Sequence, residues 1–323
     1  MRMGEYVIRR ILEMIPVVLI VIVFNFTIVH LAPGDPAVIL AGERATAEYV
    51  EATRKRYGLD RPIHEQLILY LMSLMRGDFG DSLAYHRPVL ELIVEKIPAT
   101  LLLVLTSQLV SMVLGTLIGA LSAKKYGSRT DRLISFTSVI LYSMPVFWFG
   151  LILILVFGIT LRWFPIWGIT SPEMQLSGWG QVVDILWHLF LPVVTLSAAY
   201  LTPIFVRLSR SSVMEVMKED FIMAARAKGL TENVVFFKHA LRNALLPTVT
   251  QAGLLLGFVL SGALMTETVF GWPGLGRFMY ESIFRRDYPT LMGLFIITSV
   301  CVAVASLITD IVYALLDPRV VYK

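Results

Sequence analysis

The stretch Thr100–Ala123, TLLLVLTSQLVSMVLGTLIGALSA, decides the fold. A helix needs about 20 predominantly apolar residues to cross a hydrocarbon core of about 30 Å, and this stretch supplies them. Working outward, comparable runs occur at Ile11–Leu31, Ile134–Leu161, Ile185–Val206, Thr248–Met265 and Leu291–Leu315. Backbone polar groups in lipid must be satisfied within the segment, so each run reads as a helix. Hydrophobic residues make up 56% of the chain, charged residues 16%, and the mean hydropathy is +0.72, which together place it in the membrane class. The expected fold is an all-α integral membrane protein of about six transmembrane helices.

The formal charge of +4 follows the membrane segments and forms no single basic face, which argues against a nucleic-acid partner. Arg9 and Arg10 precede the first run as they would in a signal peptide. That run is too long for a signal core and His30-Leu31-Ala32-Pro33 is no cleavage site, so it reads as a retained anchor. Arg2, Arg9 and Arg10 before the first run, and Lys124, Lys125, Arg129 and Arg132 after the second, mark the cytoplasmic side. Both termini are then cytoplasmic, with Arg319 and Lys323 in agreement, whereas Arg277, Arg285 and Arg286 sit less well on the outer side. The single cysteine, Cys301, lies in an apolar run and forms no intrachain disulfide.

Two polar segments carry most of the organisation. The outer loop Pro33–Pro98 contains two helical patterns, Thr46–Tyr57 and Ile63–Met75, separated by Tyr57-Gly58-Leu59-Asp60-Arg61-Pro62. It reads equally as a cap or as a docking surface for an outside partner. The cytoplasmic loop Arg207–Pro247 is long for a connection. Lys218–Lys228 reads as a helix with acids in its first turn and bases in its last, with Phe221, Ala224, Ala225 and Lys228 on one face. Gly229 fits a helix stop with positive φ, and Thr231 can cap a second helix running to Asn243, with Pro247 just before the fifth span. The expectation is a helix–Gly–helix hairpin against the membrane.

The run Asp220–Pro247, DFIMAARAKGLTENVVFFKHALRNALLP, resembles the cytoplasmic loop of the inner-membrane permease subunits of ABC importers, in the dipeptide, oligopeptide and nickel group. The likeness extends along nearly the whole chain: HLAPGDPA after the first span, YGLDRP in the outer loop, RPVLELIVEKIPATL before the second span, HLFLPVVTL in the fourth, PGLGRFMYESIFRRDYP after the fifth, and DPRVVY at the carboxy end. Two features depart from the general importer motif. Met223 stands where its first Glu would be, and the interval from Gly229 to Pro247 is longer; both are similar to the peptide-importer branch.

The resemblance implies that the first hairpin helix is a coupling helix seated in a cytoplasmic ATPase subunit, with Asp220, Ala225, Arg226, Ala227 and Gly229 as the contact set. It further implies a second permease subunit, expected to be a paralogue, two ATP-binding subunits that hold ATP and Mg²⁺, and an extracytoplasmic solute-binding protein. The location implied is a prokaryotic inner membrane, and the division is residues 1–98, anchor plus outer loop, and 99–323, a five-helix permease core with coupling loop 207–247. No phosphate-loop motif is present, because Gly271-Trp272-Pro273-Gly274-Leu275-Gly276 is followed by Arg277, so no catalytic residue is assigned to the chain. His30, His64, His86, His188 and His239 lack ligand spacing, and no metal site is assigned either. Asn25, Gln108, Gln251, Glu267 and Asp310 are polar groups in or near the spans, and Pro145, Pro192 and Pro203 imply breaks or kinks in the third and fourth helices. None is assigned to substrate. The rival reading is an autonomous secondary transporter or channel, for which charged relays deep in several spans or an internal repeat are expected and not evident.

Overall fold

The computed structural model describes residues 3–31, 35–42, 45–171 and 177–316 of the 323-residue chain. Arg2, Arg319, Lys323 and the DPRVVY segment lie outside them, as do Ala32, Pro33 and Gly34 of HLAPGDPA. Every named element is helical, and Asp81 and Pro88 form an isolated β-bridge. The first apolar run is helix α1, Met3–Leu31. The outer loop holds α2, Pro36–Ala41, α3, Ala47–Tyr57, and α4, Ile63–Met75. Thr46 caps α3 by accepting from the Tyr49 N–H, and Gly58 ends it at φ +62°, a left-handed conformation that a glycine adopts without penalty.

Helix α5, Val89–Lys124, contains the second predicted span and runs unbroken through residues 98 and 99. At 1.5 Å per residue its length is about 54 Å, well beyond the hydrocarbon thickness, so it projects from the bilayer. The fourth span lies in α8, Trp179–Val216, which is slightly longer, 38 residues against 36. The two pack closely because Gly115 and Gly119 of α5 face Phe205, Val206 and Ser209 of α8. A Cβ at Gly119 would lie 2.5 Å from the Val206 carbonyl oxygen, so only glycine permits this approach. Ser209 Oγ donates to the Thr116 carbonyl at 3.0 Å and Ser197 Oγ to the Ser107 carbonyl at 3.2 Å, which ties the helices along their length.

The third span departs from the single helix expected over Ile134–Leu161. It consists of α6, Arg129–Ser143, and α7, Val146–Leu153, which continues as a π-helical turn to Thr160, and the two parts meet at 101°. Pro145 is the cause: it offers no N–H and excludes the helical conformation at Met144, which adopts φ −77° and ψ 135°. Pro192 and Pro203 of α8 produce no such break. Pro192 is carried within the regular helix, whereas ahead of Pro203 the helix widens into a π-helical turn over Ser197–Leu201, which accommodates that ring and its missing donor without ending the helix.

The hairpin helix α9 is Asp220–Ala227, shorter than Lys218–Lys228. Helix α10 begins at Glu232–Val234, continues as a π-helical segment Val235–Leu241, and runs without interruption into α11, Arg242–Gly262. Pro247 therefore lies inside the fifth helix and not ahead of it. Helices α12, Leu264–Val269, and α13, Leu275–Phe284, were not anticipated; α14, Tyr288–Leu316, holds the last run. Among the described residues, four helices are long and apolar enough to cross a membrane, or five if the bent α6–α7 pair is one span.

Candidate functional site: the hairpin and its mounting

The hairpin is built around one buried side chain. Ile222 is fully buried and Ala225, three residues on, is 6% exposed; both pack against Val235 and Ala240 of the second hairpin helix, with Val216 at the end of α8 and Met217 just after it alongside. Burying an isoleucine fully contributes about 1.5–3 kcal/mol, so this small cluster is what folds the hairpin on itself. The remaining faces of α9 are exposed. Phe221 at 42% and Met223 at 56% are large apolar side chains left outward, and Leu230 beside the turn is also exposed. Single exposed apolar residues are ordinary; several on one short element make a contact surface.

Four of the five predicted contact residues, Asp220, Arg226, Ala227 and Gly229, are exposed, whereas Ala225 is turned inward and supports the hairpin from beneath. The face expected to carry Phe221, Ala224, Ala225 and Lys228 together is thus divided, with Ala225 alone on the inner side. Arg226 is engaged within the chain: its Nε and Nη2 donate to the Glu232 carboxylate at 2.8 and 3.2 Å. Both groups are largely exposed, so the pair contributes at most about 1 kcal/mol and the guanidinium is free to exchange partners. Gly229 has φ +76° and no atom within 4 Å of where a Cβ would stand, so backbone conformation and not crowding selects glycine.

The hairpin is mounted on the bundle by residues that the sequence, Lys124 apart, did not single out. Phe236 packs with Ala120, Val213 and Ala244, joining it to α5, α8 and α11. Lys124, at the end of α5, donates to Asn233 Oδ1 at 2.9 Å and lies 5.0 Å from the Phe237 ring centroid. Beside it, Asp131 accepts from Arg210 at 2.8 and 3.0 Å, from Ser122 Oγ at 2.6 Å and from the Gly127 N–H at 3.0 Å. The signal for this mounting was present only as scattered polar residues, because its partners come from four separate elements.

The opposite end of the bundle is a second polar assembly. The buried Asp287 carboxylate accepts from Ser82 Oγ at 2.5 Å and from the Leu83 N–H at 3.2 Å, fastening the outer loop to the turn before α14. Tyr85 donates to Glu281 at 3.0 Å; burial, aided by that carboxylate, pushes its hydroxyl pKa up. Glu267 is fully buried, accepting from Thr100 Oγ1 at 2.7 Å and the Arg277 N–H at 3.0 Å, and Gly274 and Gly276 lie where any Cβ would strike its carboxylate or the Leu264 backbone. The Gly-rich segment is therefore a clasp around an acid. Arg277 bonds Glu281 and the Gly271 carbonyl, and Arg285 lies 4.9 Å from the Tyr85 ring centroid, so these arginines that strained the charge rule have local partners. Other polar groups of the spans join helices: Asn25 to the Met292 carbonyl, Gln108 to the Ala252 carbonyl, and Asp310 to Arg10 at 2.8 Å.

Residues 115–322 match the family described as binding-protein-dependent transport system inner membrane component, and residues 3–104 match the N-terminal region of the same kind of membrane component. The chain is 40% identical over 321 residues to the oligopeptide transport system permease protein AppB of Bacillus subtilis, covering 99% of this chain and 100% of that one. It is 38% identical over 321 residues to the glutathione transport system permease protein GsiC of Escherichia coli K12, with the same coverage of both. It is also 38% identical over 320 residues to the probable peptide ABC transporter permease protein y4tP of Sinorhizobium fredii, covering 99% and 100%.

Proposed function

The chain belongs to the family of binding-protein-dependent transport system inner membrane components, and from that membership we propose how its two polar ends divide the work of a peptide-type ABC importer. It is a non-catalytic permease subunit, and the autonomous transporter or channel is the weaker reading. With α11 counted as a span beside α1, α5, the α6–α7 pair, α8 and α14, six spans put both termini on the cytoplasmic side. This is supported by the hairpin and the basic link after α5 sharing one end, through Lys124 and Asn233, while the outer loop and the Asp287 turn share the other. The hairpin docks on one of two ATP-binding subunits, which carry ATP and Mg²⁺, through Asp220, Arg226, Ala227 and Gly229 with the exposed Phe221 and Met223 beside them. A second permease subunit completes the path, and a solute-binding protein delivers a peptide to the outer end.

One observation carries the reading: the hairpin presents an exposed apolar and charged face while its inner face is rooted in α5, α8 and α11. A push on such an element is passed to three spans as a rigid displacement, since packed cores deform little. The test is peptide uptake into proteoliposomes by the complex isolated from its host through a tag on this chain, with the binding protein supplied outside. Uptake that requires ATP and Mg²⁺ on the hairpin side supports the proposal. Uptake driven by an ion gradient without ATP overturns it.

A further inference from the structure

We propose that the seam between α6 and α8 is part of this chain's wall of the translocation path, and that Arg207, beside Tyr142, receives the carboxylate end of a passing peptide. The proposal rests on the permease reading and adds to it a substrate-contacting site.

Three independent features meet there. The first is polarity along the seam, from its cytoplasmic end inward. Helix α6 carries Ser135, Ser138 and Tyr142 at i, i+3 and i+7 on the stripe begun by Asp131, and α8 carries Tyr200, Arg207 and Arg210 at matching intervals. Asp131 and Arg210 bond each other at the cytoplasmic end, and the Tyr142 and Tyr200 rings stack at 6.4 Å and 15° further in, so the two stripes face one another. Ser135, Ser138 and Tyr200 are only half-buried, and Tyr142 and Arg207 are exposed. Polar and ionisable side chains in spans face a bundle interior or a water-filled cavity, because lipid solvates them poorly.

The second feature is Arg207 itself. Its guanidinium carbon lies 6.0 Å from the Tyr142 ring centroid, whereas the Asp131 carboxylate is taken by Arg210. No carboxylate among the described residues pairs with it, while Arg210, three residues on, is fully engaged. An exposed, unneutralised guanidinium beside a phenol ring suits a carboxylate: it offers a planar fork of donors.

The third feature is the backbone. Helix α6 stops at Ser143 immediately after Tyr142, and α8 is π-helical over Ser197–Leu201 at Tyr200. Non-helical backbone at membrane depth is tolerated where it is covered by protein or lines a water-filled cavity, and π-turns concentrate at functional sites.

The experiment compares ATP-driven uptake of one peptide and its carboxy-terminal amide by the reconstituted complex, in wild type and Arg207→Ala. The binding protein's own preference is common to both and cancels in the ratio. Wild type is expected to favour the free carboxylate beyond that common preference, and Arg207→Ala to reduce carboxylate uptake by about tenfold, the loss of one charge-assisted bond, with amide uptake changed less than about twofold. An equal loss for both peptides overturns the proposal. So does loss of the second permease from the purified complex, which assigns Arg207 to a subunit contact, or a defect that follows the anionic lipid content, which assigns it to a headgroup. Absence of ATP-driven uptake in wild type instead fails the permease reading beneath it. Should Arg207→Ala not assemble, Tyr142→Cys in a Cys301→Ala background replaces it: the transported peptide is expected to slow maleimide labelling several-fold, and an unchanged labelling rate overturns the proposal.

Discussion

Replacing Gly229 separates conformation from size, because the two predict opposite orders. At φ +76° with nothing within 4 Å of an added Cβ, Gly229→Ala meets no neighbour, and its cost is the left-handed penalty of about 1–2 kcal/mol. The local opening constant of the hairpin then rises about 5–30-fold. Asparagine is larger but tolerates that conformation, so Gly229→Asn is expected to cost less than Gly229→Ala. Gly229→Pro forces φ near −65°, removes the donor that bonds the Arg226 carbonyl at 2.9 Å, and disfavours the conformation of Lys228 at φ −77° and ψ 3°. The assay is amide hydrogen exchange over Asp220–Leu241 in the purified complex, together with retention of the ATP-binding subunits. Exchange should quicken in the order glycine, asparagine, alanine, proline, with subunit retention falling in the same order. Asparagine faster than alanine, or alanine equal to wild type, would refute the conformational argument.

Gly119→Ala places its Cβ 2.5 Å from the Val206 carbonyl oxygen, which cannot rotate away, so α5 and α8 must separate at a cost of about 1–3 kcal/mol, read as a lower melting temperature in detergent. An unchanged melt would show that the helices do not meet there. Arg210→Ala leaves the buried Asp131 without its main partner and should destabilise by about 3 kcal/mol or more, against about 1 at most for Arg226→Ala at the exposed Glu232 pair; equal losses would contradict the difference in burial. The Ala37 N–H, with Arg54 beside it, holds the Asp35 carboxyl below its ordinary pKa. Asp35 therefore favours the docked outer loop above about pH 3.9, and that contribution is lost as pH falls through its lowered folded value. Amide exchange over Thr46–Met75, corrected for intrinsic rate, should stay flat down to about pH 4 and rise below it, and Asp35→Asn should abolish the step.

Much of this molecule was legible in the sequence because the signals are local. Apolar length placed α1, α5, α8 and α14, since a span must satisfy its own backbone bonds whatever surrounds it. Thr46, Gly58 and Gly229 marked helix ends for the same reason: caps and positive φ act within a turn. The family motifs, read in order, carried the function.

What the tertiary structure alone decided concerns which neighbour each residue meets. Pro145 breaks its span at 101°, while Pro203 is carried through by a π-helical turn packed against α5 and α6 and Pro192 lies within regular helix; the residue type is the same and the surroundings differ. Ala224 and Ala225 are adjacent and alike, yet one is exposed and the other supports the hairpin, because Val235 and Ala240 arrive on one side only. Glu267 and Asp287 find their partners Thr100 and Ser82 across 167 and 205 residues of chain. A backbone hydrogen bond is settled within four residues, whereas the partner of a buried charge depends on how whole helices pack, and no local pattern encodes that distance.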